Sequence, residues 1–273
     1  MRRLALVLLL LAVTVLYAQQ RSRGGRRSAP PPPDLDMTWE VNPRFTRDVF
    51  TFVRIQYQSG WGWNKWETDW PDSDKNFSFR LQQMTALKVN PEPAIIELTD
   101  QDLWNYPWIY FVEPGALVFS DEEVYILRRY LLNGGFAMFD DFWGVNEYEN
   151  LYDQLKRVFP DREPQDIPMD HPIFNCVFPL NQKLEGVHPQ IPNIYTGVQS
   201  EYTGVTWERP DARNGEYKAI YDDKGRMVVI ICHNTDLGDG WEREGESEYY
   251  FREFSEKKAY PLGINIVFYA MTH

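Results

Sequence analysis

The sequence predicts an α/β protein with a mostly parallel sheet covered by helices on both faces and an added C-terminal β-hairpin. Two observations predict this class. After Asp34, segments rich in β-branched and aromatic residues alternate with segments of helical periodicity, which is the pattern of a parallel sheet with crossover helices. The chain, with 273 residues, is also long enough to bury a sizeable core in one large domain.

The predicted strands are short apolar runs bounded by turn residues. The first is rich in β-branched and aromatic residues, and the prolines at positions 91 and 93 break the chain before the second. The last two strands form a hairpin across the turn Asp-Asp-Lys-Gly at residues 222–225. The strands are predicted at residues 49–57, 94–98, 108–112, 136–139, 217–221 and 226–232.

The predicted helices carry apolar side chains at helical spacing. Asn76 is the expected cap of the first, and Ser120 with Glu123 three positions later is a good start for the second. The second helix ends at a glycine pair, and the third stops before Pro160. The helices are predicted at residues 77–88, 120–132, 146–159 and 261–271.

The N-terminal segment is predicted to direct export. Residues 1–18 contain a basic n-region, an apolar h-region and a small residue at a cleavage site, which is the pattern of a secretory signal peptide. That apolar run is short for a permanent transmembrane helix, so no transmembrane helix is expected after cleavage. If the segment is retained, it would anchor the protein to the membrane. Residues 19–33, with four arginines and four consecutive prolines, are a predicted disordered linker. A single domain, residues 34–273, is then expected in the periplasm or outside the cell.

The charge argues against a nucleic-acid partner. The whole chain has a net charge of −12. Residues 1–33 contain six arginines and no acid, so residues 34–273 carry 22 basic and 40 acidic side chains, a net charge of −18. Such a domain repels phosphate backbones. The acidity is compatible with a bound cation or a cationic partner.

Cys176 and Cys232 allow one disulfide in an exported protein, or a buried thiol at Cys232, which ends an apolar run. The sequence leaves these alternatives open. Since the C-x-x-C motif is absent and neither cysteine lies in a Cys/His-rich segment, redox and structural zinc roles are rejected.

The best candidates for a functional locus are the adjacent carboxylates Asp140 and Asp141, which follow the strand predicted at residues 136–139. Ligands bind at the carboxyl ends of strands in α/β proteins. Because successive side chains alternate, one carboxylate should face the cleft while the other caps a segment or binds backbone amides. The exposed one is a candidate base, nucleophile or metal ligand, and purely structural roles in the turn are the alternative.

A tryptophan-rich loop is the second candidate. Four of the ten tryptophans fall within residues 61–70, interleaved with acids and amides. They suit stacking on sugar rings or gripping a peptide, and the alternative is a loop pinned to the domain by its own aromatics. These residues are Trp61, Trp63, Trp66 and Trp70.

Two weaker candidates lie further along the chain. The segment 232–242 follows an apolar strand and supplies Asp236, Asp239 and Trp241. Its acids could complete a cation site with Asp140 or Asp141, although it lacks the spacing of a calcium loop. His171, held extended before a proline, is a candidate base, and a histidine that satisfies loop backbone is the commoner outcome.

Most of the chain after Phe45 resembles a bacterial family known only as domain of unknown function 4159 (DUF4159). The resemblance includes Gly134-Gly135-Phe136, Asp140-Asp141-Phe142-Trp143-Gly144 and Asn234 to Glu242. Its other parts are Tyr57, Trp66, Trp70-Pro71, Asp74-Lys75-Asn76-Phe77, Leu81, Thr85, residues 106–110, residues 127–132, His171-Pro172-Ile173-Phe174, Leu262-Gly263-Ile264-Asn265 and residues 270–273.

The resemblance implies a flavodoxin-like fold similar to class I glutamine amidotransferases and trehalose-utilisation-type proteins, and it implies no established activity. In amidotransferases the corresponding strand leads to a cysteine nucleophile on a tight elbow. Here Asp140 or Asp141 stands at that position, and a carboxylate is too weak a nucleophile to replace the thiolate. Amidotransferase activity is therefore excluded.

The leading hypothesis is an exported domain that binds a ligand or partner, either a carbohydrate or a protein of the cell envelope. The alternative is a carboxylate- or metal-dependent hydrolase of glycan or envelope material, with Asp140, Asp141 and His171 as catalytic candidates. The sequence requires no cofactor, and a divalent cation at Asp140, Asp141 or Asp236 is compatible with it. The ligand-contact candidates are Trp61, Trp63, Trp66, Trp70, Asp74, Trp143, Asp236, Asp239 and Trp241.

Overall fold

The central parallel strands form where the sequence places apolar runs. The computed structural model describes residues 39–44, 48–60, 62 and 64–273, all within one unit of the chain, Leu35–His273. The proposed signal segment and linker lie outside these residues, as do Trp61 and Trp63. The strands are β1 (Val53–Ile55), β2 (Gln58–Ser59), β3 (Ala94–Ile96), β4 (Trp108–Val112), β5 (Leu117–Val118), β6 (Phe136–Asp140), β7 (Gln165–Asp166), β8 (Glu216–Tyr221) and β9 (Met227–His233).

Seven of these strands form one sheet in the order β3-β1-β4-β6-β9-β8-β7, and β2 pairs with β5 separately. The first five strands in this order, β3, β1, β4, β6 and β9, are parallel. Strand β8 runs antiparallel to both of its neighbours. Counted among themselves in chain order, the five parallel strands follow the flavodoxin-like order 2-1-3-4-5. The predicted α/β class and the C-terminal hairpin of β8 and β9 are both confirmed.

The helices are α1 (Asp72–Met84), α2 (Asp121–Leu132), α3 (Gly144–Val158), α4 (Leu180–Lys183), α5 (Ile194–Thr203), α6 (Leu237–Glu242), α7 (Glu248–Tyr250) and α8 (Tyr260–Thr272). A nine-residue π-helical segment, Phe251–Ala259, joins α7 to α8. Because π-helix is rare, and usually a single turn, this length is unusual. None of the described helices has the length and apolar character needed to cross a membrane.

The sheet separates two hydrophobic cores, as expected for strands whose side chains alternate between faces. On one face Tyr110 packs with α1, α6 and α8, and Trp241 is buried among them. On the other face Phe111 packs with α2 and α3 through Leu127 and Leu151. Helices therefore cover both faces, as the sequence predicts.

The capping box predicted at the start of α2 is present. Ser120 Oγ accepts from Glu123 N at 3.2 Å, and Glu123 Oε2 accepts from Ser120 N at 2.7 Å. Helix α1, in contrast, begins at Asp72, so Asn76 lies inside it instead of capping it. The Asn76 side chain donates to the carbonyl of Trp241 at 2.9 Å, a tertiary contact that no local pattern announces.

The first strand is shorter than predicted. Only Val53–Ile55 forms a regular strand, and Phe50 makes an isolated bridge to Val89. Tyr57 leaves the strand and donates its hydroxyl to the carbonyls of Val112 and Glu113, both at 2.8 Å. Hydrogen bonds from this side chain to the end of β4 thus replace the backbone ladder at the end of β1.

Both cysteines are free thiols: Cys176 is exposed and Cys232 is buried in β9. Of the alternatives that the sequence leaves open, the structure has the buried thiol and no disulfide between these two residues.

Candidate acidic cation site

The carboxyl ends of the parallel strands converge on a cleft rich in carboxylates. Glu113 follows β4, Asp141 follows β6 and Asp236 lies just beyond β9. Asp69, on the loop before α1, joins them from the side of β1. The cleft therefore lies at the edge where α/β proteins bind ligands, beside the point between β1 and β4 where the strand order reverses.

Three of these acids have a left-handed backbone. The φ angles are +62° at Asp69, +45° at Glu113 and +59° at Asp141. This region is uncommon for residues other than glycine, and such residues concentrate at functional sites. At Asp141 the left-handed residue makes the tight strand-to-helix turn between β6 and α3.

The side chains of Asp140, the last residue of β6, and Asp141, on the turn that follows, have different surroundings. Asp140 is fully buried. Its Oδ2 accepts from Tyr110 Oη at 3.0 Å, Leu237 N at 2.9 Å and Gly238 N at 3.2 Å. Burial raises the pKa of Asp140 to about 7, against the opposing effect of these hydrogen bonds. Asp140 thus holds the first turn of α6 behind the cleft.

Asp141 faces the cleft and lies beside Asp69 and Asp236. One carboxylate oxygen of each lies within 4.8 Å of one from each of the other two. Burial, followed by the charge of Asp69, raises the pKa of Asp141 well above its ordinary value. Trp143 Nε1 donates to Asp141 Oδ1 at 3.3 Å. The three carboxylates form what we call the aspartate triad.

Six carboxylates and one guanidinium line the cleft, whose volume is about 220 Å³. The guanidinium is that of Arg243, which pairs with Asp239 at 3.3 Å. Lys65 pairs with Glu113 from the adjoining loop. The carboxylates are those of Asp69, Glu113, Asp141, Glu208, Asp236 and Asp239.

Backbone amides fix three of the six acids of the cleft, including Asp236 of the aspartate triad. Asp236 Oδ1 accepts from Asp239 N at 2.7 Å and so caps α6. Asp239 Oδ2 accepts from Ile194 N at 2.7 Å, and Glu208 Oε1 accepts from Asn193 N at the same distance. This framework holds the cleft wall without neutralising the aspartate triad, whose members make no ion pair within the described residues.

The carboxylates of the aspartate triad are of a type and spacing that could hold a cation. Although Asp69 as a whole is partly exposed, its Oδ2 is enclosed and has no hydrogen-bond partner in the described part of the chain. Burial is the main cause of the raised pKa values of Asp69 and Asp236. The next cause is the negative charge of Asp239 for Asp69, and that of Asp141 for Asp236. Hard cations prefer carboxylate oxygens at about 2.0–2.6 Å, so ligands on opposite sides of one ion lie up to about 5 Å apart. The spacing of the triad fits that limit.

The described tryptophans of the loop do not line the cleft. Trp66 is buried in the core that includes Leu103 and Phe111, and Trp70 lies with its ring 6.0 Å from the guanidinium of Arg54. Asp74 pairs with the same guanidinium at 2.5 Å, and both side chains are fully buried. The loop supplies the cleft with Thr68 and Asp69 instead.

Three other candidates lie outside the lining of the cleft. His171 accepts from Ile173 N at 3.2 Å, and its ring packs against Tyr269. Trp241 is fully buried, with its ring 4.5 Å from that of Phe77. Trp143 is also buried and contacts the site through its bond to Asp141.

Sequence reasoning did not single out Asp69, Glu113 or Glu208. The sequence position of Glu113 does indicate a strand-end acid, because Glu113 directly follows the buried strand β4. Asp140 and Asp141 follow the strand predicted at residues 136–139 in the same way. Asp69 was visible only as one acid among the tryptophans. Glu208 lies on an irregular loop with no strand or motif beside it.

The fold and the site together define a flavodoxin-like α/β domain with an acidic cleft at the carboxyl edge of its parallel strands. The chain belongs to the family described as Domain of unknown function (DUF4159), whose family model matches residues 51–271. The matched region contains all six acids of the cleft. A search of curated proteins gave no match to the chain.

Proposed function

We propose that this protein is a ligand-binding domain whose acidic cleft takes a divalent cation, with Asp69, Asp141 and Asp236 as its protein ligands. The observation that carries the proposal is the mutual approach of their carboxylate oxygens to within 4.8 Å. Buried like charges at this distance are unfavourable unless protons or a cation compensate them. A hard divalent cation matches both the charge and the oxygen ligands.

The wider setting follows from the sequence. We infer that residues 1–18 direct export, that residues 19–33 are a linker, and that the domain acts in the cell envelope. A carbohydrate or an envelope protein is the proposed partner, with Trp61 and Trp63 as candidate contacts. The flavodoxin-like strand order supports kinship with the class I glutamine amidotransferase fold, while the carboxylates after β6 argue against amidotransferase chemistry.

Isothermal titration calorimetry of the purified protein with Ca²⁺, Mg²⁺ and Mn²⁺, after treatment with EDTA, tests the cation site. We expect saturable binding of at least one ion and a loss of affinity of about tenfold or more in Asp141→Asn and Asp236→Asn. Asp153→Asn is the matched control, since it removes the same charge from an exposed position on α3. The proposal is wrong if no ion binds, or if all three variants bind like the parent.

A hydrolase is the second candidate, and the backbone at Asp141 favours it. This carboxylate lies on a left-handed turn at a strand end, beside two further carboxylates, and its pKa is raised. A base with a raised pKa can accept a proton from water near a bound cation. His171 does not line this cleft. Release of reducing sugar from cell-wall glycan, dependent on added cation and lost in Asp141→Asn, would support this activity; no release by the parent protein would exclude it for that substrate.

A further inference from the structure

A second cavity has the opposite electrostatic character from the cleft. Its volume is about 410 Å³, within the range of small-ligand sites. No carboxylate is among its lining residues, although the acids of residues 34–273 outnumber the bases by 40 to 22. The polar and basic residues that line it are His188, Gln190, Thr206, Arg213, Asn214 and Lys258.

Lys258 is the central cation of this cavity. It lies on the π-helical segment, where its Nζ donates to the carbonyl of Gln190 at 3.1 Å and lies 4.7 Å from the ring centre of Phe254. Within the described residues no carboxylate pairs with it, and burial lowers its pKa to about 8. The ammonium is held by a carbonyl and an aromatic face, and the charge of Glu253 reaches it only from beyond ion-pair distance.

Arg213 supplies a second positive charge. Its guanidinium lies 5.6 Å from the ring centre of Trp207, within the distance of a cation–π contact. The described part of the chain offers it no carboxylate within ion-pair distance, so its donors are available to a ligand. Guanidinium groups bind carboxylate and phosphate oxygens through two parallel hydrogen bonds.

The walls of this cavity are already in place. Gln190 Nε2 donates to the carbonyls of Ala212 and Asn234, both at 3.0 Å, and its Oε1 accepts from Thr206 Oγ1 at 2.8 Å. At Gly215 a Cβ would lie 2.5 Å from the carbonyl oxygen of Pro189, so the backbone approach there requires glycine. A preformed wall lowers the ordering cost of binding.

We propose that this basic cavity binds the oxyanion group of a small ligand, a phosphate or a carboxylate, with Lys258 and Arg213 as its charged partners. An oxyanion supplies the directly paired negative charge that neither residue has within the described part of the chain. The acidic surroundings repel anions at long range, so recognition depends on these close contacts. The proposal is independent of the cation site.

Calorimetric titration of the purified, EDTA-treated protein with sodium phosphate and with sodium acetate, at matched ionic strength, tests the basic cavity. We expect saturable binding of at least one of them, weakened about tenfold or more in Lys258→Met and Arg213→Gln. The anion that binds identifies the class of oxyanion. Lys257→Met is the matched control, since it removes the neighbouring, exposed lysine and should change affinity less than twofold.

Thermal unfolding of each variant establishes that it is folded before titration. The proposal is overturned if neither anion binds the parent protein, or if folded Lys258→Met and Arg213→Gln bind as the parent does. It is also overturned if Lys257→Met loses as much affinity as Lys258→Met, because the effect would then be one of net charge. Asp141→Asn should retain anion binding, which separates this test from that of the cation site.

Discussion

Asp69 and Asp141, from separate loops, bring carboxylate oxygens within 4.8 Å of each other at the carboxyl edge of the sheet. Each residue has a left-handed backbone, with φ angles of +62° and +59°. Each is also fixed by an anchored neighbour: the carbonyl of Thr68 accepts from Arg54 Nη1 at 2.5 Å, and Asp140 is held by the first turn of α6. The two carboxylates are thus held together by contacts of Arg54 and Asp140, neither of which lines the cleft.

Gly238→Ala should weaken cation binding severalfold with little loss of stability. A Cβ at this position would lie 2.5 Å from Asp69 Oδ2 and 3.2 Å from the hydroxyl of Tyr110. Because the carboxylate is the end of a side chain, it can turn away and leave the aspartate triad. Gly60→Ala is the control, with its nearest neighbours at 3.5 and 3.7 Å. Unchanged affinity in Gly238→Ala, measured by calorimetry, would contradict the placement of Asp69.

Cation binding should release protons. Burial raises the pKa values of Asp69, Asp141 and Asp236, so these groups retain protons above the ordinary aspartate range, and a cation displaces them. Affinity should therefore fall as the pH is lowered. Titration in two buffers of different ionisation enthalpy should give different apparent binding enthalpies. Equal enthalpies in the two buffers would show that the aspartate triad is already ionised.

Local pattern accounts for much of the fold. The bounds of β4 follow from a continuous apolar run, and the start of α2 follows from Ser120 and Glu123, because these signals act within a few residues. The π-helical segment and the two-stranded pair of β2 and β5 had no such signal. They are set by packing and pairing with distant parts of the chain.

The site was predictable only in part, for the same reason. Asp141 and Asp236 follow strands, and the rule that ligands bind at strand ends locates them. The position of Asp69 depends on how its loop is tied to Arg54, a residue inside an apparently apolar strand. Trp66 shows the converse, since its sequence neighbours suggested a ligand contact and its ring is buried in the core.

Arg54→Met should lower the free energy of unfolding by about 3–5 kcal/mol, the range for breaking a buried ion pair by removing one partner. Asp74 would be left as a fully buried charge, and the carbonyls of Trp66 and Thr68 would lose their donor. Denaturant unfolding measures the change. Arg252→Met, which removes an exposed ion pair with Glu248, should stay within about 0.5 kcal/mol.

The double variant Arg54→Met, Asp74→Leu sharpens this test. Replacing both members of a buried pair by apolar side chains is often close to neutral, so it should recover part of the loss. Recovery will be incomplete because the two loop carbonyls still lack a donor. A double variant as unstable as the sum of the single variants would show that the ion pair itself contributes little.

The two thiols should differ sharply in reactivity. Cys176 is exposed and Cys232 is fully buried. A thiol reagent under native conditions should therefore modify Cys176 alone, slowly because partial burial of its thiol raises the pKa, and should reach Cys232 only after denaturation. Cys176→Ser should abolish the native reaction, and Cys232→Ser should leave it unchanged. A protein with no reactive thiol even when denatured would indicate a disulfide.

Asp140 should make the protein less stable as the pH rises. Its pKa is about 7 in the folded protein, above the ordinary aspartate value, so the folded state binds more protons than the unfolded state between these values. Stability from this group is greatest below the ordinary aspartate pKa and is lost as the pH rises towards 7.

Asp140→Asn cannot ionise, so its melting temperature in EDTA should decline less between pH 4 and pH 7. Asp69, Asp141 and Asp236 have pKa values shifted the same way, so the decline should be reduced and not abolished. Asp153→Asn should keep the slope of the parent protein, and parallel curves for Asp140→Asn and the parent would rule out this role for Asp140.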